Sequence, residues 1–106
     1  MPSPKNTLFW SLAEPLLASP GVTRSTMMGF PCLRVDGQFF ASLDHKTDDL
    51  IVKLPKTRVL AMVEDGEGQP FAPAGRVFRE WVRVVEPDEQ TWAALIDESR
   101  AFVQGA

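Results

Sequence analysis

Apolar residues near the start of the chain recur at helical spacing. Leu8, Leu12 and Leu16 stand four apart, with Phe9, Ala13 and Leu17 beside them, which predicts an amphipathic helix. Ser3-Pro4 or Asn6 opens it, and Ser19-Pro20-Gly21 ends it. Pro15 lies inside the stripe and removes the donor to the Ser11 carbonyl, so a kink or short break is expected there. The period then changes to two. Val22 to Met28 reads as a strand, and Pro31–Val35 and Phe39–Leu43 flank Asp36-Gly37 as a hairpin.

Parity distinguishes the hairpin loops. A two-residue Asp36-Gly37 turn sets Leu33 opposite Phe40 and leaves Phe39, Ala41 and Leu43 facing Cys32 and Arg34. A three-residue loop, Val35-Asp36-Gly37, gathers Leu33, Phe39, Ala41 and Leu43 on one face, with Gly37 left-handed at its third position. The three-residue loop is the expectation, because it unites the apolar face.

Asp44–Asp49 is a polar turn and Leu50–Leu54 a further strand. Pro55 suits the first position of a second helix, whose buried side is Val59, Leu60, Met62 and Val63, with Gly66 as its stop. Glu67–Gly75 is a Gly/Pro-rich loop or irregular edge, and Val77–Val85 is the most strand-like run. A last helix runs from near Pro87-Asp88 to about Gln104, packing through Trp92, Leu95, Ile96, Ser99, Phe102 and Val103. The expected fold is a two-layer α+β sandwich: a mainly antiparallel sheet with three helices, in the order α-β(3-4)-α-β(1-2)-α.

The 106 residues fit one domain, and 44% hydrophobic residues suffice for a core. A net charge of −3 disfavours a strong nucleic-acid binder but leaves room for a local basic patch. The single cysteine, Cys32, rules out an internal disulfide and suits a reducing compartment. No leader or membrane-spanning stretch is visible, so the expected location is the cytoplasm.

Catalytic chemistry finds little support. Ser42 and Asp44 share a strand face, but His45, the only histidine, points elsewhere, so no triad is expected. Cys32 reads as a small buried hydrophobe. One Cys and one His cannot build a zinc site, and Asp44, Asp48 and Asp49 lack calcium-loop spacing. The chain is therefore expected to be no enzyme and to hold no metal or cofactor. In the last strand, alternation sets Arg79, Trp81 and Arg83 on one face and Phe78, Glu80, Val82 and Val84 on the other. The expected arrangement has Trp81 covering a helix with the arginine stems beside it. The alternative exposes it as a stacking surface between guanidinium groups.

An ordered set of residues resembles the TfoX/Sxy N-terminal domain family, related in fold to the MmcQ/YjbR group. It comprises Val22-Thr23-Arg24, Met28-Gly29, Val35 to Ala41, Leu50 to Pro55, Gly66 to Phe71, Pro73, Gly75-Arg76 and Glu80-Trp81-Val82. The resemblance covers roughly residues 22 to 103 and implies one TfoX N-terminal-like domain over 1–106, bacterial and regulatory. The sequence departs from it where Met27-Met28-Gly29-Phe30 moves an aromatic beyond the glycine. Lys53 and Arg76 match the pattern; they either form an anion site with the start of the second helix or pair with carboxylates such as Glu80. The leading expectation is a non-enzymatic binding or regulatory module acting on a protein partner or a second copy of itself. The alternatives are a nucleic-acid-binding face of Lys53, Arg76, Arg79, Trp81 and Arg83, and a small-molecule or anion sensor around Phe71.

Overall fold

The computed structural model describes residues 3–27, 30–44, 46–72 and 75–105. Met28, Gly29, His45 and Pro73, on which parts of the sequence reading fall, lie outside the described residues. Helix α1 (Pro4–Leu17) starts on Ser3, whose hydroxyl accepts from the Asn6 N–H (3.0 Å) and so satisfies one orphan donor of the first turn. Pro15 does not break α1, which runs two residues further to Leu17. So near the C-terminus, the proline removes only one of the last ladder bonds. Four strands follow: β1 (Val22–Met27), β2 (Phe30–Val35), β3 (Gln38–Leu43) and β4 (Leu50–Lys53). Then come α2 (Lys56–Glu64), β5 (Gln69–Phe71), β6 (Phe78–Val84) and α3 (Glu89–Gly105). The strands form one antiparallel sheet in the order β1-β2-β3-β4-β6-β5, as the α+β expectation required.

The hairpin departs from its expected loop. Val35 pairs with Gln38, so the turn holds only Asp36 and Gly37, both at positive φ (52° and 82°). That is the backbone of a primed two-residue turn, whose twist matches the flanking strands. The parity problem is solved further along. Arg34 pairs with Phe39 while Leu33 pairs with Ala41, so Phe40 is an extra residue. This β-bulge turns Phe40 into the core and Phe39 out toward Arg34, where the sequence reading had placed Phe39 inside.

Leu33, Val35, Phe40, Ala41, Leu43, Leu50, Val52, Leu54, Val82 and Val84 form one buried layer. Against it lie Phe9 and Ala13 of α1, Val59 and Met62 of α2, and Trp92, Leu95, Ile96 and Val103 of α3. All three helices therefore cover the same sheet face. Arg24 on β1 ties α1 down, its guanidinium lying 4.2 Å from the Trp10 ring centroid. Two details of α2 are corrected. Pro55 is its N-cap rather than its first helical residue, and Leu60 is 60% exposed because Val59 and Met62 already fill the narrow contact with β6. Gly68 lies against that contact: a Cβ there would stand 2.5 Å from Val82 Cγ2. Val82 is fully buried and has nowhere to move, so Gly68→Ala is expected to cost about 1–3 kcal/mol, read as a lowered thermal midpoint.

Ser99 makes the link between α3 and the sheet. Extending the β3–β4 register past Ala41–Val52 brings Phe40 opposite Lys53, where the bulge parts the strands. The Lys53 N–H donates to Ser99 Oγ (3.2 Å), which donates in turn to the Phe40 carbonyl. A helix hydroxyl thus stands in for one bond of the ladder, and both backbone groups are satisfied.

Candidate functional site

The sheet face away from the helices carries the side chains left over by the core alternation. Pairing defines one continuous row and two shorter cation–aromatic pairs. The row runs Ser25, Cys32, Ser42, Ile51, Arg83 and Gln69 across all six strands. Cys32, Ser42 and Ile51 are fully buried within it. The Ser42 hydroxyl donates to the Pro31 carbonyl (2.7 Å), so it is committed to structure rather than to nucleophilic chemistry. Burial pushes the Cys32 thiol up from its ordinary value, with Arg34 partly opposing, so the thiol stays protonated at neutral pH.

The two pairs are the more informative. Arg34 on β2 pairs with Phe39 on β3, and Lys53 on β4 pairs with Trp81 on β6. No pairing joins Phe39 to Lys53, so these are two separate cation–aromatic pairs on the helix-free face, and all four side chains are half-buried. The Arg34 guanidinium lies 4.3 Å from the Phe39 ring centroid. Trp81 does not cover a helix, as had been expected. It packs with Phe78 on a small satellite core of Ile51 and Phe71, on the helix-free side. Phe78 joins it there, against strict alternation, because the β5–β6 register shifts between Pro70 and Phe71.

The remaining candidates scatter around these pairs. Phe71 belongs to strand β5 rather than to a loop and is 3% exposed, its ring 5.8 Å from that of Phe78. The cleft beside it is about 180 Å³, lined by Asp44, Pro70, Phe71, Ala72 and Arg83. Arg76 lies over the Phe78 ring, 5.5 Å from its centroid. Arg83 bonds Gln69 and stands 3.6 Å from the buried Asp49 carboxylate, which also holds Lys5. Arg79 is exposed. The Leu54 N–H donates to the Glu80 carbonyl (2.9 Å), so the β4–β6 register carries Arg79, not Arg76, toward the start of α2.

The structure therefore joins Lys53, Trp81, Phe71, Arg83 and Arg76 around one surface and leaves Arg79 at its margin. Arg34 and Phe39 complete the surface, and sequence reasoning missed both. The signal was the parity conflict itself, since a two-residue turn before Phe39-Phe40 requires a bulge to keep Ala41 and Leu43 inside. Among the described residues, no three His, Cys, Asp or Glu side chains converge to hold a metal ion, and no helix is long and apolar enough to cross a membrane.

The YjbR family matches residues 17–101, a span that takes in every strand and the whole of α2. The chain belongs to the YjbR family. That agrees with the TfoX-like resemblance, the two being one group. No curated protein and no solved structure gives a significant match. The site of this YjbR protein is therefore read from its own residues.

Proposed function

We propose that this YjbR protein is a non-enzymatic binding module and that its helix-free sheet face takes single-stranded nucleic acid. The supporting observation is the two cation–aromatic pairs, Arg34–Phe39 and Lys53–Trp81, on that one face. Aromatic rings spaced across a sheet offer stacking platforms to bases of any identity, and the cations beside them neutralise phosphates. The overall charge of −3 is compatible, since a cation-rich face needs only a local excess. The cleft at Phe71 falls below the roughly 300 Å³ usual for small-molecule sites, which weighs against the sensor reading.

The test is anisotropy of a labelled oligothymidylate. With about four phosphates neutralised, a fourfold rise in salt should weaken binding on the order of 50-fold. Trp81→Ala should weaken it about 5- to 150-fold through lost stacking, and Lys53→Gln should flatten the salt slope. Binding that ignores salt and both substitutions would remove the face from the mechanism.

A second reading has its own support. β1 is an edge strand with one side unpaired in the sheet, and its Thr23, Arg24 and Thr26 are exposed. Such an edge can take a strand from a protein partner or a second copy. Light scattering checks the homodimer form: a monomer at high concentration excludes it.

A further inference from the structure

β1 is the last strand on its side of the sheet, and its pairing with β2 fixes which of its backbone groups are free. The Asp36 N–H donates to the Gly21 carbonyl (2.9 Å), in line with the Val22–Val35 register. Bonded and non-bonded pairs alternate along an antiparallel ladder, so Thr23 and Ser25 turn their N–H and C=O groups toward β2. Those of Arg24 and Thr26 turn outward. Val22 faces outward too, but its N–H is taken by the Ser19 carbonyl (3.3 Å). The two edges of the sheet differ. β5 has three residues, includes Pro70, which lacks an N–H, and is interrupted by a register shift, all of which oppose strand addition. β1 has six residues in unbroken register and no proline, and its one charge, Arg24, lies against Trp10 (4.2 Å).

Above this edge α1 presents apolar surface. Lys5 leaves the helix toward the buried Asp49 beside β4, and Trp10, five residues on, leaves it by the other flank. Leu17 lies on the same flank as Trp10, two turns further on, and both are half-buried. Only Ala18 to Gly21 connect α1 to β1, so the helix runs back along the strand. Trp10, in contact with Arg24, therefore stands over the middle of β1. A strand edge about 20 Å long and about 10 Å deep offers on the order of 200 Å². That is far below the roughly 800 Å² per partner of a standard interface. A bare strand added to β1 also leaves Trp10 and Leu17 uncovered. A partner whose edge strand carries a helix at the same height covers both, and the α1–β1 unit of this chain has that form.

We propose that β1 pairs antiparallel with β1 of a second copy, about a two-fold axis that passes through Ser25 normal to the sheet. The proposal rests on the reading of β1 as an open edge. Such an axis keeps every residue on its own face, so only residues of like parity pair. A centre at Arg24 sets two arginines directly opposite each other, which is destabilising. A centre at Ser25 sets Arg24 opposite Thr26 twice over. It makes bonded pairs of the two residues whose backbone groups are free and brings the two Trp10 flanks together across the axis. The helices of both copies then lie on one side, and the two helix-free faces join into a single surface.

The test is sedimentation equilibrium of the whole chain from about 1 μM to about 1 mM, with amide chemical shifts followed over the same range. A small interface associates weakly, so the dimer should appear within that range. The Arg24 and Thr26 amides should move with concentration more than that of Ser25, which is already bonded to β2. Thr26→Glu sets a carboxylate opposite Arg24 and should tighten the dimer about 2- to 30-fold, and Thr26→Lys should weaken it by a similar factor. Thr26 is exposed, so neither change should move the thermal midpoint of the dilute protein. A monomer throughout, or a dimer indifferent to both substitutions, overturns the proposal. A hexapeptide copying Val22–Met27 then decides the reading beneath it: shifts at the Arg24 and Thr26 amides leave an open edge without self-pairing, and no shifts remove the open edge as well.

Discussion

Trp92→Ala should lower stability by about 3–5 kcal/mol, the largest effect expected of any single truncation in this chain. Trp92 heads the fully buried side chains and sits in the first turns of α3, where its ring fills the layer between helix and sheet. Its loss also removes a bond. Nε1 donates to the Glu86 carbonyl (2.7 Å), which ties the β6–α3 connection to the helix it leads into. Against a total stability of about 5–15 kcal/mol for a small domain, this is a large fraction. At about 4–8 °C per kcal/mol, the thermal midpoint by circular dichroism should fall by at least about 12 °C. Trp92→Phe separates the contributions: it keeps most of the area and removes the indole bond, while the Glu86 carbonyl still accepts from the Asp88 N–H (3.0 Å), so the cost should be about 0.5–1.5 kcal/mol. A midpoint within about 5 °C of the parent in the alanine variant would mean that α3 is anchored elsewhere.

Ser99→Ala should destabilise by about 2–4 kcal/mol, out of proportion to one deleted oxygen. The deleted hydroxyl serves two backbone groups at once, the Lys53 N–H and the Phe40 carbonyl, and the bulge keeps those groups from meeting directly. Each is then buried without a partner. The diagnostic readout is hydrogen exchange at the Lys53 amide, which should accelerate more than at neighbouring β4 amides. Unchanged protection of that amide would refute the relay. The same substitution loosens the backbone beside Phe39 and at Lys53, so oligonucleotide affinity should fall with it even though Ser99 lies on the helix side.

These two residues show how far the chain could be read beforehand. Both belong to the α3 face that helical spacing marks out, and their burial was legible because the apolar period is long and regular. The role of Ser99 was not legible, because it depends on a bulge in a strand far away in sequence. Alternation assumes one residue on each strand per step, so an inserted residue reverses the facing of everything on one side of it. That is how Phe39 was assigned to the interior in place of Phe40, and why the Arg34–Phe39 pair escaped notice. Trp81 shows a different limit. Its alternation with Val82 was correct, but periodicity assigns two faces without saying which one the helices occupy. Leu60 was assigned to the buried side of α2, where neighbouring apolar positions compete for a contact only wide enough for Val59 and Met62.

Cys32 sits in the middle of β2, opposite Ser25 on one neighbour and Ser42 on the other, and is wholly enclosed. A thiol reagent cannot touch it while those strands stay together. Its labelling rate under native conditions therefore counts the moments when the sheet parts, and comparing reagent concentrations gives the frequency of those openings without denaturant. With no second thiol in the chain to confuse the signal, the protein carries its own clock for the cohesion of its central strands.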